Sequence, residues 1–349
     1  MSDYAFALLQ QPINATGDQN ALWIVDENIS LEEVASIRPS VNLQVMTNRF
    51  DLFQQLKKYG FNAVLNDYDF SELEQTALDI VYYRVSKEKA VVHHIVNMAA
   101  KYLQSDGVLY LAGYKNEGTK TYIDKATKHL GELVERCRGQ QTAMLAAIRC
   151  ADKSDQPLDD KNYRQPIMIS DKGMEFVTKP GVYGWNKIDK GSAFLVEHLP
   201  TYLSMLPHPP QTVLDLGCGY GFLSVMAAQI CPAYYTATDN NIAAVELCRK
   251  NFLHHGVSGE VVLDDCAIGI QQQVDLVLCN PPFHQGFSIE QDLTAKFVAA
   301  AQRLLSRGGQ ALFVVNSFIP VEKKAQGKFR HVSMLANNGS FKLIVLNND

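Results

Sequence analysis

In the C-terminal half of the chain, short apolar runs alternate with amphipathic stretches. The runs Thr212–Leu216, Tyr234–Thr238, Val261–Leu263, Val274–Cys279, Gln310–Val315 and Phe341–Leu346 predict six strands. Helical patterns fill the gaps between the first five, as at Ile242–Phe252 and Ala295–Leu305, and together they predict an open α/β sheet. The N-terminal half repeats the pattern. Ala21–Val25 aligns with Thr212–Leu216, and Thr47-Asn48 with Thr238-Asp239, both at an offset of 191. Leu78–Val81 aligns with Val274–Val277 at 196, and Leu103–Gly107 with Leu305–Gly309 at 202. Offsets that grow only between elements are what loop insertions leave in a duplicated domain; the alternative is two unrelated α/β domains whose buried strands look alike because all are rich in Val, Ile and Leu. The polar stretch Asp152–Gln165 reads as a linker, which divides the chain into residues 1–151, 152–165 and 166–349.

With 349 residues and 47% hydrophobic content, each half is large enough to bury a core, which excludes disorder for most of the chain. The net charge of -5 means that a polyanionic partner must meet a local basic face. From Lys101 to Cys150 there are eight basic and five acidic residues, read equally as a solvated helix face or a patch facing RNA. Its cations include Lys115, Lys120, Lys125, Lys128, Arg136 and Arg138; a second group is Lys323, Lys324, Lys328 and Arg330. The seven cysteines form no CxxC pair and no metal-ligand spacing with His, the usage of reduced cytoplasmic thiols. No run approaches about 18 apolar residues, and the first residues lack the basic start of a signal peptide. A soluble cytoplasmic protein is expected.

The chemistry concentrates at the ends of the C-terminal strands. Asp215-Leu-Gly217-Cys218-Gly219-Tyr220-Gly221 runs from a strand through a glycine turn toward a helix. Phe222 stands where a dinucleotide fingerprint needs its last glycine, which argues against a nicotinamide cofactor. Asp215 is placed to meet an ammonium group or to organise the turn, and so suits a cofactor bearing an amino acid. Asp239, with Asn240 after it, closes the second strand, where a carboxylate accepts ribose hydroxyls or caps a helix. Asp264 and Asp265 close the third; one of them is placed to receive an adenine amino group. The fourth strand runs into Asn280-Pro281-Pro282-Phe283-His284, where two prolines hold a rigid extended loop. The Asn280 side-chain oxygen and the next carbonyl can hold the two hydrogens of an exocyclic amine, and Phe283 offers a stacking face. His284 reads either as a contact to the base or as an exposed loop residue. Asp189-Lys-Gly191-Ser192 reads as a helix start, either bordering the site with free N–H groups or capping a helix on the far side of the sheet.

This set of motifs resembles the class I S-adenosylmethionine-dependent methyltransferases that act on an exocyclic or amide nitrogen. Lys179-Pro-Gly-Val-Tyr183, Ile188–Ser192, NPPFHQG, Asn316–Pro320 and Asn338–Lys342 narrow it: nearly the whole chain is similar to the RsmC type of bacterial 16S ribosomal RNA guanine-N2 methyltransferase. The resemblance implies two Rossmann-like methyltransferase domains in tandem, the first degenerate. It implies S-adenosylmethionine held by Asp215, Gly217, Cys218, Gly219, Gly221, Asp239, Asn240, Asp264, Asp265, Asp189 and Gly191, and catalysis by Asn280, Pro281, Pro282 and Phe283. The implied partner is 16S rRNA of the small ribosomal subunit, met by a monomer away from membranes. Large-subunit relatives and NPP-type enzymes acting on adenine N6 or a protein glutamine share the same motifs. A non-catalytic RNA-binding assembly factor is the reading from another class, and the intact glycine turn and NPPF oppose it. Degeneracy of the first half shows in Asp26-Glu27-Asn28, aligned with the glycine turn, and in Arg84–Lys87, aligned with Asn280–Phe283.

Overall fold

The apolar runs of both halves become buried strands of two seven-stranded sheets with one shared strand order. The structure is a computed structural model that describes residues 3–73, 77–282 and 287–348, in two units, Met1–Gln165 and Pro166–Asp349. In the first unit, β1 (Ala21–Val25), β2 (Leu43–Thr47), β3 (Asn62–Leu65), β4 (Leu78–Arg84), β5 (Leu103–Tyr114), β6 (Gly131–Arg138) and β7 (Ala143–Cys150) lie in the order β3-β2-β1-β4-β5-β7-β6. Its helices are α1 (Tyr4–Asn14), α2 (Leu31–Ala35), α3 (Phe50–Lys58), α4 (Lys89–Tyr102) and α5 (Thr119–Leu130).

The second unit starts with a hairpin, β8 (Ile167–Asp171) and β9 (Met174–Thr178), followed by α6 (Lys190–Ser204). Then come β10 (Thr212–Leu216), α7 (Phe222–Ala228), β11 (Tyr234–Asp239), α8 (Ile242–His255), β12 (Gly259–Leu263) and β13 (Val274–Cys279). The chain closes with α9 (Phe287–Leu304), β14 (Leu305–Asn316), α10 (Val321–Ala325), β15 (His331–Asn337) and β16 (Phe341–Asn347). Their order, β12-β11-β10-β13-β14-β16-β15, is that of the first unit. In each sheet the first five strands pair in parallel and the last two antiparallel.

The register repeats as well. Val25 lies beside Thr47 as Leu216 lies beside Thr238. Both units carry an irregularity where the fourth strand meets the fifth, between Leu78 and Ile80 and between Val274 and Leu276. Apolar composition alone does not demand a matching bulge, so the match favours duplication over two unrelated domains that happen to look alike. The central strands are continuous apolar runs because helices cover both faces of a parallel sheet; all five residues of β1 are buried.

Four features depart from the sequence reading. Residues 264–273 form no helix: Asp264 accepts the N–H groups of Asp265 and Gly269 at 2.7 Å, and Cys266 and Ala267 are left-handed at φ 49° and 56°. β15 was not expected, because it is mostly exposed and lacks apolar alternation. The β8–β9 hairpin is also additional. The stretch read as a linker is folded onto the first unit: Leu158 exchanges both backbone hydrogen bonds with the Asn97 amide, and Tyr163 is 1% exposed.

Candidate active site

The glycine turn leaves β10 with Gly217 and Cys218 both donating N–H groups to the Thr238 carbonyl at 2.9 Å. At Gly221, φ is 90° and a Cβ would lie 2.7 Å from Cys248 Sγ, so glycine is required; at Gly219 a Cβ would meet nothing within 4 Å. Asp239, at the end of β11, braces the turn by accepting Gly219 N–H at 2.9 Å through Oδ2 and Asn241 N–H at 2.8 Å through Oδ1. A carboxylate has about four lone-pair sites, so Asp239 retains acceptor capacity.

Asp215 is fully buried. Its Oδ2 accepts the Ser224 N–H at 3.0 Å and hydroxyl at 2.6 Å, tying the turn to α7, while Oδ1 has no partner. Burial pushes this carboxyl up to about 6, against the pull of the Ser224 bonds. Thr238 Oγ1 is buried and unpaired at the same turn. Cys218 is buried, and burial holds its thiol well above the ordinary range, so it stays neutral. Asp265 is ion-paired with Lys296 at 2.6 Å. The buried Asn251 joins the turn to β9, donating to the Tyr220 carbonyl at 2.7 Å and exchanging bonds with Val177.

Asn280 follows β13 directly. Its Nδ2 donates to Asp189 Oδ2 and to Ser192 Oγ, each at 2.8 Å. Asp189 caps α6 by accepting Ser192 N–H at 2.8 Å, and its Oδ1 accepts the Tyr183 hydroxyl at 2.7 Å. Burial and the Asp189 charge push the Tyr183 phenol well up, keeping it a donor. Gly191 lies against Phe341, where a Cβ would stand 3.1 Å from the ring. The start of α6 therefore borders Asn280, and the far-side alternative fails. Pro281 is buried and Pro282 exposed; Phe283 and His284 lie outside the described residues. Sequence reasoning assigned no part to Ser224, Asn251, Lys296 or the Ser192 hydroxyl. Only Ser224, in the first turn of the helix after a glycine loop, carried a usable signal.

The first unit fills the same places differently. Arg84, aligned with Asn280, is 3% exposed; its Nε donates to Asp3 Oδ2 at 2.8 Å, and its Nη1 and Nη2 donate to Glu117 at 2.7 and 2.9 Å. Asn48, aligned with Asp239, accepts the buried Tyr68 hydroxyl at 3.1 Å. Tyr163 donates to Asp67 at 2.6 Å and stacks on His94 with centroids 4.4 Å apart. Asp26, aligned with Gly217, is 1% exposed and pushed up to about 8, first by burial and then by Glu27. Among the described residues, no group of three or more His, Cys, Asp or Glu could hold a metal, and no helix is long and apolar enough to cross a membrane.

Residues 173–345 match the methyltransferase small domain family. Over 325 residues the chain is 23% identical to ribosomal RNA small subunit methyltransferase C of Shewanella loihica, with 92% of each covered. It is 32% identical over 183 residues to ribosomal RNA large subunit methyltransferase G of Vibrio vulnificus, a match covering 50% of this chain and 47% of that protein. The 16S rRNA N2 methyltransferase RsmC of T. thermophilus, solved with AdoMet and guanosine, aligns with a TM-score of 0.80 at 24% identity, covering 99% of this chain and 92% of that one. Fold and family match together place a methyltransferase small domain in residues 173–345. The likeness to RsmC of T. thermophilus runs along nearly the whole of both chains and shows a shared fold.

Proposed function

We propose that this protein transfers a methyl group from S-adenosylmethionine to the exocyclic N2 of a guanine in 16S ribosomal RNA of the small ribosomal subunit. The observation that carries the reading is Asn280. Both hydrogens of its amide are held by protein acceptors, while Oδ1 receives no hydrogen bond from the described residues. An acceptor fixed in this way beside a glycine turn suits an amine donor.

The turn fits the cofactor. Gly219 is open, and Asp215 Oδ1 and Thr238 Oγ1 are buried acceptors still lacking partners, suited to an ammonium group. Asp239 keeps lone pairs for ribose hydroxyls, with Gly217, Cys218, Gly221 and Asn240 shaping the loop around it. Asp264 is spent on its own turn and Asp265 on Lys296, so a contact to adenine falls to the backbone of this segment or to the outer lone pairs of Asp265. When bound, S-adenosylmethionine supplies an electrophilic methyl on a sulfonium sulfur.

Asn280 Oδ1 and the Pro281 carbonyl accept the two N–H bonds of the guanine amine. This raises electron density on nitrogen and points its lone pair away from the ring. Phe283 and Pro282 flank the base in this reading. Proximity and orientation are the main catalytic terms, and no strong general base is needed because the amine sheds its proton after attack. A paired guanine must first be flipped out, at a cost of a few kcal/mol that contacts elsewhere offset. The exposed Lys115, Lys120, Lys128 and Arg138 of the first unit, with Lys323, Lys328 and Arg330 of the second, supply phosphate contacts. Arg136 and Lys125 are partly engaged, with Asp124 at 3.5 Å and His93 at 3.3 Å. The enzyme acts in the cytoplasm as a monomer.

Radiolabelled methyl transfer to separated small- and large-subunit rRNA, followed by nucleoside analysis, tests this. Label in N2-methylguanosine from small-subunit rRNA is expected. Label confined to large-subunit rRNA or to methyladenosine, or no label at all, overturns it.

A further inference from the structure

We infer that Asp189 is a positioning residue that sets which way the Asn280 amide faces, and so presents its carbonyl to the substrate. This deepens the proposed methyl transfer and rests on it. An amide can turn its oxygen or its NH2 toward the amine, and only the oxygen can accept the N–H bonds. A carboxylate only accepts, so Asp189 Oδ2 at 2.8 Å admits the NH2 face of Asn280 and excludes the carbonyl. Ser192 Oγ takes the second hydrogen at 2.8 Å. Asp189 is itself immobilised, by Ser192 N–H on Oδ2 and by the Tyr183 hydroxyl on Oδ1.

The first unit repeats this juxtaposition independently. Asp3 caps α1 as Asp189 caps α6, and Asp3 Oδ2 accepts Arg84 Nε at 2.8 Å, with Arg84 in the place of Asn280. The fold thus brings the cap carboxylate of its leading helix to the residue at the end of its fourth strand. In one copy that contact is an ion pair; in the other it orients an amide. This role differs from the cofactor contact that the resemblance implies for Asp189.

The test uses the full chain and three substitutions. Asp189→Ala should lower kcat for methyl transfer about 10- to 100-fold, with S-adenosylmethionine Kd and RNA KM unchanged within about twofold. Asp189→Asn should recover most of that turnover, because its carbonyl can stay at the Oδ2 place while its NH2 donates to the Tyr183 oxygen. Ser192→Ala keeps the cap N–H and should cost about three- to tenfold in kcat, which covers the case in which Asp189→Ala fails to fold. In 15N-labelled protein, the Asn280 side-chain hydrogens should exchange slowly in wild type and Asp189→Asn, and at least tenfold faster in Asp189→Ala. Unchanged kcat in both alanine variants, exchange that does not respond, or a kcat loss matched by weakened cofactor binding overturns the inference. If wild type methylates no guanine, the reading above fails, while the exchange measurement still decides the role of Asp189.

Discussion

Arg84 and Asn280 occupy one place in two copies of one fold, and they do opposite things with it. Arg84 uses all the space there: the guanidinium is buried between Asp3 and Glu117 and lies over the Tyr114 ring at 5.2 Å. Asn280 leaves its oxygen unused by the described residues. The same holds around the turn. Asp239 braces a glycine loop that stays open at Gly219, whereas Asn48 is taken by Tyr68, and the stretch that follows β7 buries its Tyr163 against His94 with the hydroxyl on Asp67. At these places the first unit pairs Arg84 and Asn48 within itself, whereas the second leaves Asn280 Oδ1, Asp215 Oδ1 and Thr238 Oγ1 without partners among the described residues. Unsatisfied buried polar atoms cost stability and both units hold some, Asp26 Oδ2 in the first among them; what sets the second apart is that Asp215 Oδ1 and Thr238 Oγ1 lie at a glycine turn still open at Gly219, where a ligand is expected.

The largest effects should come from alanine at the two matching positions. Asn280→Ala should reduce kcat about 100- to 1000-fold, the loss typical of a single preorganised polar contact, and leave cofactor Kd unchanged by calorimetry. Arg84→Ala should leave kcat nearly intact but lower unfolding free energy by about 3–5 kcal/mol in urea, because Asp3 and Glu117 lose a buried partner. A kcat loss in Arg84→Ala as large as in Asn280→Ala would break the comparison.

One step smaller, Asp239→Ala should weaken S-adenosylmethionine binding about 10- to 100-fold, the range for hydrogen bonds to a charged group. Asn48→Ala should not change it. Equal weakening in both variants would show that the first unit holds cofactor too.

A further effect concerns pH. Asp26 is pushed from 3.8 to about 8 in the folded chain. Between about pH 4 and 8 the folded state therefore holds a proton that the unfolded state has lost, and stability falls as pH rises through that window. Asp26→Asn should flatten the fall in Tm from pH 4 to 8, measured by thermal melts. A slope that persists in Asp26→Asn would remove the buried acid from the account of the first unit.

Much of this was legible in the residues, and for physical reasons. β10 and β13 match their predicted bounds because strands buried on both faces need near-continuous apolar runs, interrupted here only by Thr212, Asp215 and Asp275. The offset of 191 survives as shared register between the first two strands, and 196 with 202 between the fourth and fifth, while the fourth strand pairs with the first one residue out of step in the two units. What escaped is of two kinds. β15 and the 264–273 turn carry no apolar period, since one is a solvated edge and the other is organised by the Asp264 side chain. Contacts such as Asp189–Asn280 and Tyr163–Asp67 join residues 91 and 96 apart, and no local pattern encodes a partner at that distance.

The central claim is that one fold is present twice and the second copy alone serves the cofactor. Titrating S-adenosylmethionine into the full chain in a calorimeter tests it most directly. The account predicts one equivalent bound, weakened by Asp239→Ala and indifferent to Asn48→Ala. Two equivalents, or a single one lost with Asn48→Ala and retained with Asp239→Ala, would contradict it.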